Sequence, residues 1–247
     1  LNFIQVDLSG DWNSEVLPKK IDTIFHLAQS NQFRNFPSTA IDIFNVNVSS
    51  TAKLLDYGIK RGIQKFIYTS SGGIYANDLD AINEKMSLNS PNEIGYYLGS
   101  KFASEILVQS YSQNMITSIL RPFFIYGRNQ NRSMLMPRLF DSVQNNTPIV
   151  LTGKKGIKIN PIHVEEAAKA TFNAMKLNKS SVTNLAGPQV ISLKEISTAI
   201  GDYLGKKAIF EFNDVNSSDL IGDITKMSKD LLNPKINFID RVSDLDY

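Results

Sequence analysis

Apolar residues recur along this chain in two alternating rhythms. Residues 21–28 and 65–68 are short runs dense in β-branched and aromatic side chains, the pattern of strands buried on both faces. Between them Ile41, Phe44, Val48, Leu54, Leu55 and Ile59 fall at helical spacing, so a helix is expected over 38–61, stopped by Gly62. Further strands are expected at 1–8, 116–124, 148–152, 157–164, 182–186 and 210–212. Further helices are expected at 97–113, 135–144, 165–177, 192–204 and 226–232. Ser192 and Glu195 have the spacing of a capping box opening the helix at 192. Near-continuous apolar strands alternating with helices predict an α/β fold with a doubly wound parallel sheet. Asp7, Ala28, Ser71 and Phe124 all fall at strand C-terminal ends, the edge where such sheets bind ligands.

Composition narrows the picture. With 247 residues, 42% hydrophobic, the chain can bury a substantial core. A net charge of +2 without a concentrated Lys/Arg run argues against a nucleic-acid partner. The absence of cysteine excludes disulfides, thiolate metal sites and thiol nucleophiles, and two His, His26 and His163, leave no basis for a metal centre. No apolar run approaches the ~18 residues of a membrane span and no signal-peptide pattern opens the chain, so the expectation is a cytoplasmic protein without a membrane partner.

The candidate chemistry lies in two pieces. Thr69-Ser70-Ser71-Gly72-Gly73-Ile74-Tyr75 ends a buried strand, and Tyr97-Leu98-Gly99-Ser100-Lys101 opens a helix. Tyr97 and Lys101, four apart, share one helix face. A phenol beside an ammonium is an acid/base pair, and the positive charge is expected to lower the phenol pKa. A serine hydroxyl at the strand end can bond the same substrate oxygen, which suits proton exchange during hydride transfer. The spacing alone is weak: nine Tyr and nineteen Lys predict about 0.7 chance matches. Tyr203 and Lys207 form a second match, read as structural because no hydroxyl-rich strand end precedes it. Ser71 is preferred to Ser70 from its spacing to Tyr97. His26, His163 and Glu165-Glu166 are read as packing or helix-end residues, and Arg121 as packed or ion-paired as readily as ligand-bound.

In order along nearly the whole chain, these pieces resemble the extended short-chain dehydrogenase/reductase family, the NAD-dependent epimerase/dehydratases of nucleotide sugars. Asp7-Leu8, His26-Leu27-Ala28, Asn47 with Thr51, Ser71, Tyr97 with Lys101, Arg121–Gly127 and Ile162-His163-Val164 carry the resemblance. It implies a Rossmann-like sheet with a smaller α/β substrate-binding region. The dinucleotide-binding domain is expected at 1–125 plus about 160–187, and the substrate region at 126–159 plus 188–247. It implies Tyr97 as acid/base, Lys101 on the cofactor ribose and Ser71 on the reacting oxygen. Cofactor contacts are expected at Asp7, Leu8, Leu27, Ala28, Gln29, Asn47, Thr69, Tyr97, Lys101 and Phe123. Substrate contacts are expected at Ser71, Gly72, Tyr97, Phe124 and Leu135. The implied cofactor is NAD, with NADP as the alternative, the substrate a nucleotide sugar, and the assembly a homodimer packed through the helices that begin near Ser38 and Tyr97.

The chain departs from that pattern in places. No Gly-x-x-Gly-x-x-Gly phosphate loop is present, and Asp7-Leu8 corresponds to the end of a third strand. Roughly fifty residues are expected to be missing, so the expectation is either a fragment of a longer protein or a defective chain, active only with that loop supplied. Gly72-Gly73 follow Ser71 where dehydratases carry an Asp-Glu pair, which favours epimerisation. Phe124 and Met134 replace amides that commonly grip the diphosphate, leaving Arg128, Arg132, Lys154, Lys155 and Lys158 as alternative cations. Two other readings stand beside the epimerase: an NADP-dependent keto-sugar reductase of the same fold, and a non-catalytic cofactor-binding remnant.

Overall fold

A computed structural model describes residues 2–76, 81–215 and 218–247. In chain order the first elements are β1 (Thr23–His26), α1 (Ala40–Phe44), a π-helical turn (Asn45–Ser49), α2 (Ser50–Arg61), β2 (Lys65–Thr69), α3 (Gly95–Ser110) and β3 (Ile116–Pro122). Then come β4 (Ile125–Tyr126), α4 (Leu135–Gln144), β5 (Ile149–Thr152), β6 (Lys158–Ile159), β7 (Ile162–His163) and α5 (Val164–Ala174). The last are β8 (Ser181–Leu185), β9 (Ile191–Ser192), α6 (Leu193–Leu204), β10 (Phe210–Asn213), α7 (Thr225–Asp230) and a 3-10 stretch (Phe238–Leu245).

The chain divides into two compact units. The first comprises Leu1–Ala76, Ser87–Arg121 and Thr171–Thr183. The second comprises Asn77–Met86, Pro122–Ala170 and Asn184–Tyr247.

The first unit is built on a sheet of order β1-β2-β3-β8, with β1, β2 and β3 parallel. Parallel neighbours need long crossovers, and the two helical runs supply them. Phe66, Ile67 and Tyr68 of the central β2 are fully buried. Leu55, Ile63, Val108, Met115 and Ile119 join Phe66 and Tyr68 in one core cluster. Gly62 ends α2 in the left-handed conformation (φ 68°), which glycine adopts without a Cβ penalty.

Two expectations fail here. Residues 2–8 form no strand, and Phe3 is 89% exposed: among the described residues no strand pairs with them, and an unpaired extended segment is not a sheet element. The strand expected to be buried on both faces is not: among the described residues β1 is the outermost strand of its sheet, Phe25 on it is 37% exposed, and Leu27 just beyond it is 53% exposed.

The second unit holds three two-stranded pairs: β5 with β10 and β4 with β7, both parallel, and β6 with β9, antiparallel. Its core runs through Tyr126, Met136, Phe140, Leu151, Ile159, Ile191, Ile196, Ile200 and Phe238. The capping box at Ser192–Glu195 is formed. The strand expected over 157–164 is broken into β6 and β7 at Asn160-Pro161. Pro161 has no N–H to donate, and Asn160 turns inward to bond Gly187 O, Gly222 O and Gly222 N.

Candidate active site

The reactive groups of the first unit gather at the C-terminal end of β2 and the start of α3. Lys101 is 1% exposed, and its Nζ donates to Thr69 O at 2.8 Å, 5.3 Å from the centre of the Tyr68 ring. Burial lowers its pKa to about 8, opposed by the carboxylate of Glu105 one turn on, so it stays an ammonium at neutral pH. Glu105 in turn holds Arg121 in a bidentate pair, Nε–Oε1 2.9 Å and Nη2–Oε2 2.6 Å, with the guanidinium 4.7 Å over the Tyr75 ring. Arg121 is thus an ion-paired group that ties β3 to α3 and to the loop carrying Ser71. Glu105 was legible only as the position four residues after Lys101.

Tyr97 donates its hydroxyl to Gln29 Oε1 at 2.8 Å, and its ring lies 4.7 Å from that of Phe33. Burial pushes the phenol up to about 12, with Arg34 pulling the other way. This overturns the expectation that Lys101 lowers the Tyr97 pKa: the ammonium is directed at the Thr69 carbonyl and the Tyr68 face, and desolvation of the phenol dominates. Ser71 Oγ caps the single turn Gly72–Ile74 by accepting from Gly73 N at 3.2 Å, which leaves its own proton to donate. The hydroxyls of Thr69 and Ser70 are buried without a hydrogen-bond partner.

Behind this edge lies a polar scaffold. Asn47 accepts from Ser30 N (3.0 Å) and donates to Ser100 Oγ (2.8 Å), binding the segment after β1 to α3. It sits in the π-turn, whose widened register leaves carbonyls to be satisfied by side chains. Ser50 Oγ donates to Val46 O (2.5 Å), and Thr51 Oγ1 (2.6 Å) and Ser104 Oγ (2.8 Å) donate to Asn47 O. Ser50 and Thr51 thereby commit their only protons, so His26 Nε2, 3.0 Å from Thr51 Oγ1 and 3.3 Å from Ser50 Oγ, carries the hydrogen they accept. Burial, and secondarily the Lys101 charge, lower the His26 pKa to about 4. His26 is a neutral structural donor.

The remaining expected contacts are more scattered. Asp7 is exposed, and its carboxylate accepts from Ser9 N (2.9 Å) and Ser9 Oγ (2.7 Å), which hold it below the usual range. Asn45 Nδ2 pins the same turn through Ser9 O at 2.8 Å. Leu8 and Ala28 are half-buried, Leu27 is exposed and Gly72 is buried. Phe123, Phe124 and Leu135 belong to the second unit. There Phe123 N donates to Leu185 O at 3.0 Å, and Phe124 and Leu135 pack on the core. Arg128 pairs with Asp244 at 2.9 Å, and Arg132 is held by Asp141 and Leu245 O, so acceptors of this chain already engage two of the candidate diphosphate cations. His163 Nε2 lies 3.0 Å from Asp244 Oδ2, and Glu166 accepts from the backbone of Lys235 and Ile236, both structural. Lys207 lies beyond the end of α6, and the Tyr203 hydroxyl donates to Asp246, which separates that pair from Tyr97 and Lys101.

The groups at the β2 edge suit the ribose and nicotinamide end of a dinucleotide. Lys101 has two N–H groups beyond the one given to Thr69, and Thr69 and Ser70 offer unpartnered hydroxyls. No glycine-rich turn that would cradle its phosphates occurs in the sequence.

Comparison with known proteins places these features in context. The family model described as the NAD dependent epimerase/dehydratase family matches residues 1–186. A UDP-glucuronate 4-epimerase of Thermodesulfobacterium geofontis is 24% identical over 239 residues, 94% of this chain and 73% of that protein. A 3-beta-hydroxysteroid dehydrogenase of Mycolicibacterium neoaurum is 30% identical over 151 residues, 58% of this chain and 41% of the relative. Among solved structures, a UDP-glucuronic acid 4-epimerase from Bacillus cereus in complex with NAD superposes with a TM-score of 0.84 at 24% identity, covering 99% of this chain and 79% of the other. That likeness is one of fold.

Proposed function

This chain belongs to the NAD-dependent epimerase/dehydratase family, and from that premise we propose that it epimerises a nucleotide sugar with NAD as cofactor. The observation that carries the reading is the buried Lys101 ammonium fixed on Thr69 O, with Tyr97 four residues before it on the same helix and Ser71 at the adjoining strand end. Lys101, Tyr97 and the Thr69 hydroxyl would hold the nicotinamide ribose. The cofactor supplies a hydride acceptor that later returns the same hydride. Tyr97, ionised by loss of its own proton to solvent, would take the proton of a sugar hydroxyl as the carbon beneath it gives up hydride, leaving a ketone and a neutral phenol. Ser71 steadies that oxygen by donating its hydroxyl proton. When the opposite face of the ketone is reduced, the neutral Tyr97 phenol would give that proton back to the oxygen, so the centre would be inverted with no net gain or loss of a proton.

Epimerisation is preferred to dehydration because residues 70–76 contain no carboxylate to drive elimination. A second reading, reduction of a keto sugar, is favoured by the Tyr97 hydroxyl, which already donates its proton to a carbonyl oxygen, that of the Gln29 amide, as it would to a ketone.

The family's helix-packed homodimer is proposed on an apolar surface of the first unit. Ile41, Phe44 and Val48 on one helical run, and Gly99, Phe102 and Ile106 on α3, recur every three or four residues, and a groove of about 630 Å³ lies between the two helices. Ile41 is 71% exposed and Ile106 51%. A second copy of the same two helices would cover both stripes.

The assay is the purified protein with NAD and a panel of nucleotide sugars, scored for the epimer. Tyr97→Phe, which keeps the ring and loses the proton, should cut kcat at least about a hundredfold. Unchanged turnover in that variant would refute the assignment.

A further inference from the structure

The segment after β1 straps the first turn of α3. Gln29 Oε1 accepts the Tyr97 proton at 2.8 Å. Phe33 lies against the Tyr97 ring and Phe36 stacks on Tyr96, each at 4.7 Å between centroids. Tyr96 OH donates to Ala40 O at 3.0 Å, and Asn47 fixes the near end of the strap through Ser30 N. The acceptor offered to Tyr97 is a neutral, planar carbonyl oxygen, the same kind of atom as a ketone oxygen. A phenol has one proton, so it can serve Gln29 or a substrate carbonyl at any moment, but not both.

We propose that Gln29 is a positioning residue whose amide oxygen holds the place of the reacting sugar oxygen at Tyr97, and that productive binding exchanges one for the other. The proposal rests on Tyr97 being the proton-transfer group. It gives the Gln29 side chain a role different from the cofactor contact expected from sequence. Exchange replaces one O–H···O=C bond by another, so the substrate gains affinity only through its other contacts. Removing the Gln29 amide leaves the phenol without that acceptor, and binding of a carbonyl ligand should tighten by the worth of one hydrogen bond, about three- to tenfold.

Two measurements test this. The first is ultraviolet titration of the Tyr97 phenol, isolated as the difference between protein with Tyr97 and with Tyr97→Phe, in wild-type and Gln29→Ala backgrounds. A phenol donating to an amide is held in its protonated form, so Gln29→Ala should lower the midpoint. Arg34 and Tyr68, the charged and titratable neighbours of the phenol, are left in place by that change. An unmoved or raised midpoint overturns the proposal. The second is steady-state kinetics at neutral pH, where alkaline unfolding plays no part. Gln29→Ala should lower KM for the sugar about three- to tenfold with a smaller change in kcat. A raised KM returns Gln29 to the role of a ligand contact. If the midpoint falls but the wild type turns over no nucleotide sugar, the proposed function fails while the Gln29–Tyr97 contact stands.

Discussion

Among individual residues, His26 shows how a side chain can look catalytic and serve the scaffold. Its Nε2–H is shared between Thr51 and Ser50, and burial lowers its pKa to about 4 from 6.5. The folded state therefore refuses a proton that the unfolded chain accepts. Stability from this group is fully present above about 6.5 and is lost as pH falls toward 4. Between about pH 7.5 and about pH 5 the loss should be on the order of 2 kcal/mol. Lys101, whose pKa of about 8 lies above that range, adds only a small slope at its upper end. Urea unfolding of wild type and His26→Gln, which keeps a donor for Thr51, should give a shallower acid slope in the variant; parallel slopes would show that His26 does not titrate in this way. That Tyr97 and Lys101 share one helix was legible in the sequence from their spacing; that they take different partners, Gln29 and the Thr69 carbonyl, was not. The Gln29–Tyr97 bond was not, because its partners are 68 residues apart and meet only through the order of strands.

At the scale of elements, the helix over 38–61 was readable from its apolar period, and its π-turn was not. The slip depends on hydroxyls at Ser50, Thr51 and Ser104 that take up displaced carbonyls, and Ser104 comes from another helix. The strand expected over 157–164 failed for a similar reason. Its apolar run was genuine, yet Asn160 and Pro161 divert the chain where Gly187 lets the backbone pass: a Cβ there would stand 1.9 Å from Pro161 O. The tie between α3 and β3 is the Glu105–Arg121 pair, with side chains 3% and 8% exposed. Removing one partner strands a buried charge, so Glu105→Ala should cost about 3–5 kcal/mol in chemical denaturation. Glu105→Gln keeps one acceptor for the guanidinium and should cost less. Equal losses would mean that packing, not charge pairing, sets the contribution of this contact.

At the scale of the whole molecule, the alternation of strands and helices announced a parallel sheet, and the sheet is present. The division into units was harder to read, because the chain passes between them several times and composition does not change at the crossings. The apolar positions that face outward are informative at this scale. Ile41, Phe44 and Ile106 count as core in a pattern read from sequence, yet they are 71%, 46% and 51% exposed. Amphipathic helices expose such residues in series at a cost of about 25 cal/mol per Å² of apolar surface left in water, unless another surface covers them. In the proposed homodimer a second copy would offer the same stripe, and a two-fold axis through it would cover Ile41 and Ile106 of both chains. Placing aspartate at both positions, Ile41→Asp with Ile106→Asp, puts like charges into that contact while leaving the buried core of the first unit intact. The expected result in light scattering is a wild type at twice the chain mass of 27.6 kDa and a variant at the chain mass, with unchanged circular dichroism. A wild type that scatters as a single chain at micromolar concentration would remove the homodimer and leave the groove between the two helices without an assigned occupant.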